Sequence, residues 1–91
     1  MTTTKMTATE RAHRAHGAMQ GLFDSYRQGQ RSTQRAAGHC RQVADLLDDV
    51  AYWADEALSD GEMTPAEHRD LMRDAAILNA LMASAVLAVL A

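Results

Sequence analysis

Four histidines and one cysteine are the side chains of this chain best suited to hold a metal ion or to act as a nucleophile. His13 and His16 would share one face of a helix, but a metal site needs further ligands from elsewhere in the fold. His39 and Cys40 are sequence neighbours, so their side chains on a helix would point about 100° apart. We therefore expect no metal site and no cofactor, and we interpret Cys40 as a small buried hydrophobe.

Motifs for catalysis are missing from the sequence. It contains no nucleophile elbow, phosphate-binding loop, paired-cysteine motif or zinc-protease motif. Asp48 and Asp49 are adjacent and would point in different directions, so they do not form a general acid–base pair. His68 and Asp70 are typical of an exposed first helical turn. We therefore predict that the protein is not an enzyme.

Apolar residues recur at helical spacing along the chain, without the alternation of a strand, which predicts an all-α fold. Thr7 and Glu10 form a capping box that opens the first helix. Gly29 and Ser32 are typical of a helix end followed by a new helix start, so we place the first turn there. The alternative is one helix that continues through this segment.

The second turn is marked more clearly than the first. The second helix ends before Gly61, and Thr64-Pro65-Ala66-Glu67 combines an N-cap, a proline at the first helical position and a capping glutamate. We therefore predict a single elongated domain over residues 1–91: a helical hairpin followed by an apolar C-terminal helix. The predicted helices are about 7–28, 32–58 and 65–91, after a flexible segment at 1–6.

The last seventeen residues, 75–91, contain no charged side chain. A helix that is apolar all round must be buried on every side or lie in lipid, and a 91-residue chain has little surface with which to cover it. We therefore expect a homodimer or higher oligomer, assembled as a helical bundle. The predicted interface consists of Leu71, Leu78, Met82, Val86 and Val89.

Charge is distributed unevenly. Residues 1–43 carry seven basic and two acidic side chains (net +5), and residues 44–74 carry two basic and ten acidic ones (net −8), which together give −3. A hairpin with its turn near residue 30 would set Arg11 and Arg14 beside Asp49 and neutralise much of this asymmetry. The predicted pairing partners are Asp45, Asp48 and Asp49, and the basic residues left at the first turn are Arg27, Arg31 and Arg35.

The acidic end beside the second turn is the predicted partner-binding site. Aromatic side chains are favoured anchors of protein interfaces, and a charged rim speeds the encounter with a basic target. The predicted site consists of Tyr52, Trp53, Asp55, Glu56, Asp60 and Glu62.

The leading functional hypothesis is a non-enzymatic, homo-oligomeric regulator or inhibitor that binds another protein. Frequent Ala and Arg, which have GC-rich codons, suggest a bacterial or phage source, and hence a phage-encoded inhibitor of a host bacterial protein. The single cysteine and the polar start favour a cytoplasmic location. One alternative is a membrane protein anchored through residues 75–91. The other is nucleic-acid binding through the basic turn, against which the net negative charge argues.

Overall fold

The computed structural model of the chain describes residues 6–28 and 33–90, with side chains for 6–28 and 37–88. It contains three helices, α1 (Ala8–Gln28), α2 (Thr33–Ser59) and α3 (Pro65–Leu90). The predicted all-α fold is confirmed, and each helix end lies within one residue of its predicted position. Of the predicted flexible segment 1–6, only Met6 belongs to the described residues, and it is half-buried.

Helices α1 and α2 form a hairpin. They are separate helices that pack along each other, and near the first turn the rings of Tyr26 and His39 lie 6.1 Å apart. The alternative of one continuous helix is therefore wrong, although the predicted turn at 29–32 lies outside the described residues. Helix α2 packs extensively on both α1 and α3, whereas α1 and α3 touch each other over a smaller area. The molecule measures 46 × 34 × 17 Å.

Capping boxes begin α1 and α3, as predicted. The Thr7 N–H donates to Glu10 Oε1 and the Glu10 N–H donates to Thr7 Oγ1, both at 3.1 Å. At α3 the Thr64 N–H donates to Glu67 Oε1 at 3.2 Å, and the Glu67 N–H donates to Thr64 Oγ1 at 3.1 Å. The bond from the threonine N–H, and after it the threonine hydroxyl, lowers the pKa of each glutamate.

Gly61 sets the turn between α2 and α3. Its φ of 76° lies in the left-handed region, where a side chain is strained. The Gly61 N–H donates to the Leu58 carbonyl at 3.2 Å, and the Glu62 N–H donates to the Ala57 carbonyl at 2.9 Å. These two bonds form a Schellman motif, which satisfies carbonyls at the end of α2 and turns the chain towards α3.

Two glycine substitutions should change stability in opposite directions. Gly61→Ala is expected to lower the free energy of unfolding by about 1–2 kcal/mol, because an alanine resists the left-handed conformation. Gly17→Ala, in the interior of α1, should raise it by about 0.5–1 kcal/mol, since among the described residues no atom beyond the adjoining backbone of α1 and the two chain neighbours lies within 4 Å of an added Cβ. Urea unfolding measures both, and equal effects of the two substitutions would contradict the left-handed turn.

The hydrophobic core draws on all three helices. Its largest fully buried side chains are Met19 on α1, Val43 and Val50 on α2, and Met82 on α3. Each contributes about 1.5–3 kcal/mol by leaving water. The same cluster includes Met63 from the second turn, so the core positions this turn as well as the helices.

Candidate functional site

The register of the hairpin differs from the predicted one by about one helical turn. The prediction set Arg11 level with Asp49. Instead, the guanidinium carbon of Arg11 lies 4.8 Å from the centre of the Trp53 ring, four residues further along α2. Arg11 is therefore engaged in a cation–π contact at this position.

The predicted ion pairs across the hairpin are wrong. Arg14 directs Nη1 to the Met6 sulfur at 3.4 Å, which is a weak acceptor. Among the described residues, neither Arg11 nor Arg14 forms an ion pair with a carboxylate. Within the described residues, no basic side chain of α1 therefore forms an ion pair with a carboxylate of α2. The aspartates predicted as partners were Asp45, Asp48 and Asp49.

The acidic surface is an exposed face of α2 that continues into the second turn. Within the described part of the chain, only one of its carboxylates makes a side-chain hydrogen bond: Asp55 Oδ1 lies 2.7 Å from Nε2 of the half-buried His68 on α3. This contact ties the end of α2 to the start of α3. The acidic surface consists of Asp45, Asp48, Asp49, Asp55, Glu56, Asp60 and Glu62.

Tyr52 lies in the middle of the acidic surface. Its side chain is 58% exposed, and its ring meets that of Trp53 edge-on, with centroids 4.9 Å apart and planes at 88°. Trp53 itself is half-buried between Tyr52 and Arg11. Of the two aromatic residues in the predicted partner site, Tyr52 is therefore the exposed one, and Trp53 packs behind it. The remaining predicted members, Asp55, Glu56, Asp60 and Glu62, are all exposed.

The interface residues predicted on α3 largely face inward. Leu71 and Met82 lie in the core of the single chain, and Leu78 and Val86 are partly buried against it. The side chain of Val89 lies outside the described part. Leu71, Ala75, Leu78, Met82 and Ala85 follow one another along α3 at alternating steps of four and three residues. We refer to this stripe as the heptad seam of α3, and it packs on the chain's own helices.

A different face of α3 is left uncovered. Ile77, Leu81 and Leu87 are 50%, 48% and 67% exposed. The other exposed positions around them, Ala76, Ala80, Ser84 and Ala88, are small and uncharged. We refer to these seven residues as the exposed face of α3. The sequence signal for it was the absence of charge on the faces outside the heptad seam. That signal led to the predicted oligomer, but the predicted interface residues came mainly from the seam itself.

Two surface grooves flank α1. One, of about 260 Å³, lies between α1 and α2, and the side chains of Arg11, Arg14, Asp49 and Trp53 are among those that line it. Sequence reasoning missed it, because it depends on the hairpin register. The other, of about 300 Å³, lies between α1 and α3 and includes Ile77 of the exposed face.

The remaining candidate residues are placed as follows. Cys40 is half-buried and packs against the core rather than within it. No three His, Cys, Asp or Glu side chains within the described ranges lie close enough to hold a metal ion.

The basic turn was predicted to expose Arg27, Arg31 and Arg35. The guanidinium carbon of Arg27 lies 5.8 Å from the Phe23 ring centre. The side chains of Arg31 and Arg35 lie outside the described part.

Helix α3 has the length and composition of a membrane span. Within Pro65–Ala88, an 18-residue window has a mean hydropathy of 1.5, and 17% of that window is buried by the rest of the chain. A core helix of a soluble protein meets the same length and composition criteria, so this property alone does not assign a location.

Comparisons with protein-family models, with curated proteins and with solved structures found no match to this chain.

Proposed function

We propose that this protein is a non-enzymatic helical regulator that self-associates through α3 and binds a basic protein partner through the acidic surface. The observation that carries this proposal is the exposed Tyr52 among carboxylates of which, within the described residues, only Asp55 has a side-chain hydrogen-bond partner. An exposed ring that packs on a second ring is a preorganised anchor, and it loses little side-chain entropy on binding.

The carboxylates around Tyr52 supply the specificity in this proposal. Unpaired charges of one sign steer a partner of opposite sign and disfavour other partners. The target class is a basic surface of a host bacterial protein, and inhibition follows if that surface is where the target binds its own acidic or nucleic-acid ligand. A cytoplasmic location fits such a target.

Self-association is the second part of the proposal, and the exposed face of α3 supports it. Exposed apolar side chains on a small protein are stabilised when a second copy covers them. The face uses residues outside the core, so a dimer can form without unfolding the monomer. Two copies related by a twofold axis would each present the same face to the other.

A salt-sensitive capture experiment tests the partner surface. The tagged protein and a variant with Tyr52→Ala, Asp48→Asn and Glu56→Gln serve as baits in bacterial cytosolic extract. We expect the variant to lose a stoichiometric partner that the wild type retains at low salt and releases at high salt. Asp55 is left unchanged in this variant because it binds His68.

Asp24→Asn is the matched control for this capture experiment, because Asp24 is exposed on α1, away from the acidic surface. It should retain the partner. A partner that is captured equally by wild type and by the triple variant would contradict the assignment to the acidic surface.

The alternative of a tail-anchored membrane protein is favoured by the mean hydropathy and low burial of α3. It predicts that the protein stays dispersed only with detergent or lipid. Light scattering in detergent-free buffer separates the two hypotheses, since the proposed regulator gives a discrete dimer or small oligomer there.

A further inference from the structure

The groove between α1 and α2 combines positive charge with an apolar lining. Ala15 and Ala18 on α1 leave space that longer side chains would fill, and Leu46 and Trp53 line the groove from α2. Arg11 on α1 also lines the groove and supplies positive charge. The groove has a volume of about 260 Å³, which lies just below the range of pockets for drug-sized ligands, so a ligand that fits it is smaller than a drug.

The two arginines of the groove have unused hydrogen-bond donors. The guanidinium carbon of Arg11 lies over the Trp53 ring, a contact that uses the face of the guanidinium and not its N–H groups, and these have no protein acceptor among the described residues. The single contact of Arg14, to the Met6 sulfur, leaves most of its five donors without a protein acceptor among the described residues. Both groups suit a carboxylate, which a guanidinium binds through two parallel bonds.

We propose that this groove binds a small organic anion, namely a carboxylate attached to an aromatic or branched aliphatic group. The carboxylate binds Arg11 and Arg14, and the apolar part lies against Ala15, Ala18 and Leu46. This site goes beyond the proposed protein-binding function and does not depend on it. Asp49 also lines the groove, and its negative charge opposes the anion.

Titration with 3-phenylpropanoate, followed by amide and indole N–H shifts in NMR spectra, tests the site. We expect the largest shifts at Ala15, Ala18 and the Trp53 indole, with a dissociation constant on the order of millimolar. The neutral 3-phenylpropanamide has the same apolar part and should bind about tenfold more weakly or worse, because it lacks the charge-assisted bonds.

Three variants sharpen the test. Arg11→Gln and Arg14→Gln should each weaken 3-phenylpropanoate binding about tenfold. Asp49→Asn should strengthen it about two- to fivefold, because a repelling charge is removed. If these exposed residues had only a structural role, the arginine variants would not weaken binding while Asp49→Asn strengthens it. Thermal unfolding of each variant checks that the fold is retained.

Three results would overturn the proposal: equal affinity for the acid and the amide, shifts that map away from the groove, or no shifts at ten times the expected dissociation constant. A charge effect without localisation, in which Arg41→Gln weakens binding as much as Arg11→Gln, would also overturn it. Arg41 is exposed on α2 and does not line the groove. None of these outcomes bears on capture of a protein by Tyr52.

Discussion

Met82→Ala is expected to lower the free energy of unfolding by about 2–5 kcal/mol, measured by urea or thermal unfolding. Met82 is fully buried between the helices of one chain, and its removal leaves a cavity that the neighbouring helices close only in part. A small domain is commonly stable by about 5–15 kcal/mol, so this one substitution removes a large share of the stability.

Leu87→Ala is the matched control for Met82→Ala on the same helix. Leu87 is 67% exposed, so its truncation should change the unfolding free energy of the monomer by about 0.5 kcal/mol or less. Its effect should appear in the oligomer mass instead. Equal destabilisation by the two substitutions, extrapolated to low protein concentration, would contradict the assignment of Met82 to the core and Leu87 to the exposed face.

Leu81→Glu combined with Leu87→Glu is expected to convert the proposed dimer into a folded monomer. Both leucines lie on the exposed face of α3, and covering each by a second copy contributes about 1.5–3 kcal/mol. Their loss, with four uncompensated charges in the interface, should raise the dimer dissociation constant at least about a hundredfold. Analytical ultracentrifugation measures the constant, and circular dichroism checks the helical content.

A control for added charge is available on other faces. Gln28→Glu combined with Gln42→Glu adds the same charge at exposed positions of α1 and α2 and should leave the dimer intact. A wild-type protein that is monomeric at tens of micromolar would refute self-association. A dimer that survives the double leucine substitution would move the interface to another surface.

The ends of the helices were predictable because their signals are local. The reciprocal bonds of Thr7 with Glu10, and of Thr64 with Glu67, join residues three apart, so no distant part of the fold is needed to form them. The left-handed conformation of Gly61 is likewise a local feature, because it depends on the glycine itself and not on a distant part of the fold. Fold class and helix bounds were therefore accessible before any tertiary contact was known.

The partner surface was predictable only in part. The exposed carboxylates of the acidic surface follow from composition, because charged side chains rarely leave water without a partner. Composition did not distinguish Tyr52 from Trp53. Which of the two rings is exposed depends on which position of α2 faces α1, and Trp53 faces α1, where Arg11 covers its ring.

The sequence by itself determined that this chain forms three helices with local caps, that its charge is segregated, and that α3 carries more apolar surface than a monomer of this size covers. Only the tertiary structure decided the hairpin register and which side of α3 faces inward. A shift of the hairpin register by one turn keeps every helix intact but gives Arg11 different neighbours on α2. Leu81 and Met82 are adjacent in sequence, yet Met82 is buried in the core and Leu81 is exposed. Such choices depend on packing between helices, because local hydrogen bonds are equally well satisfied in each alternative.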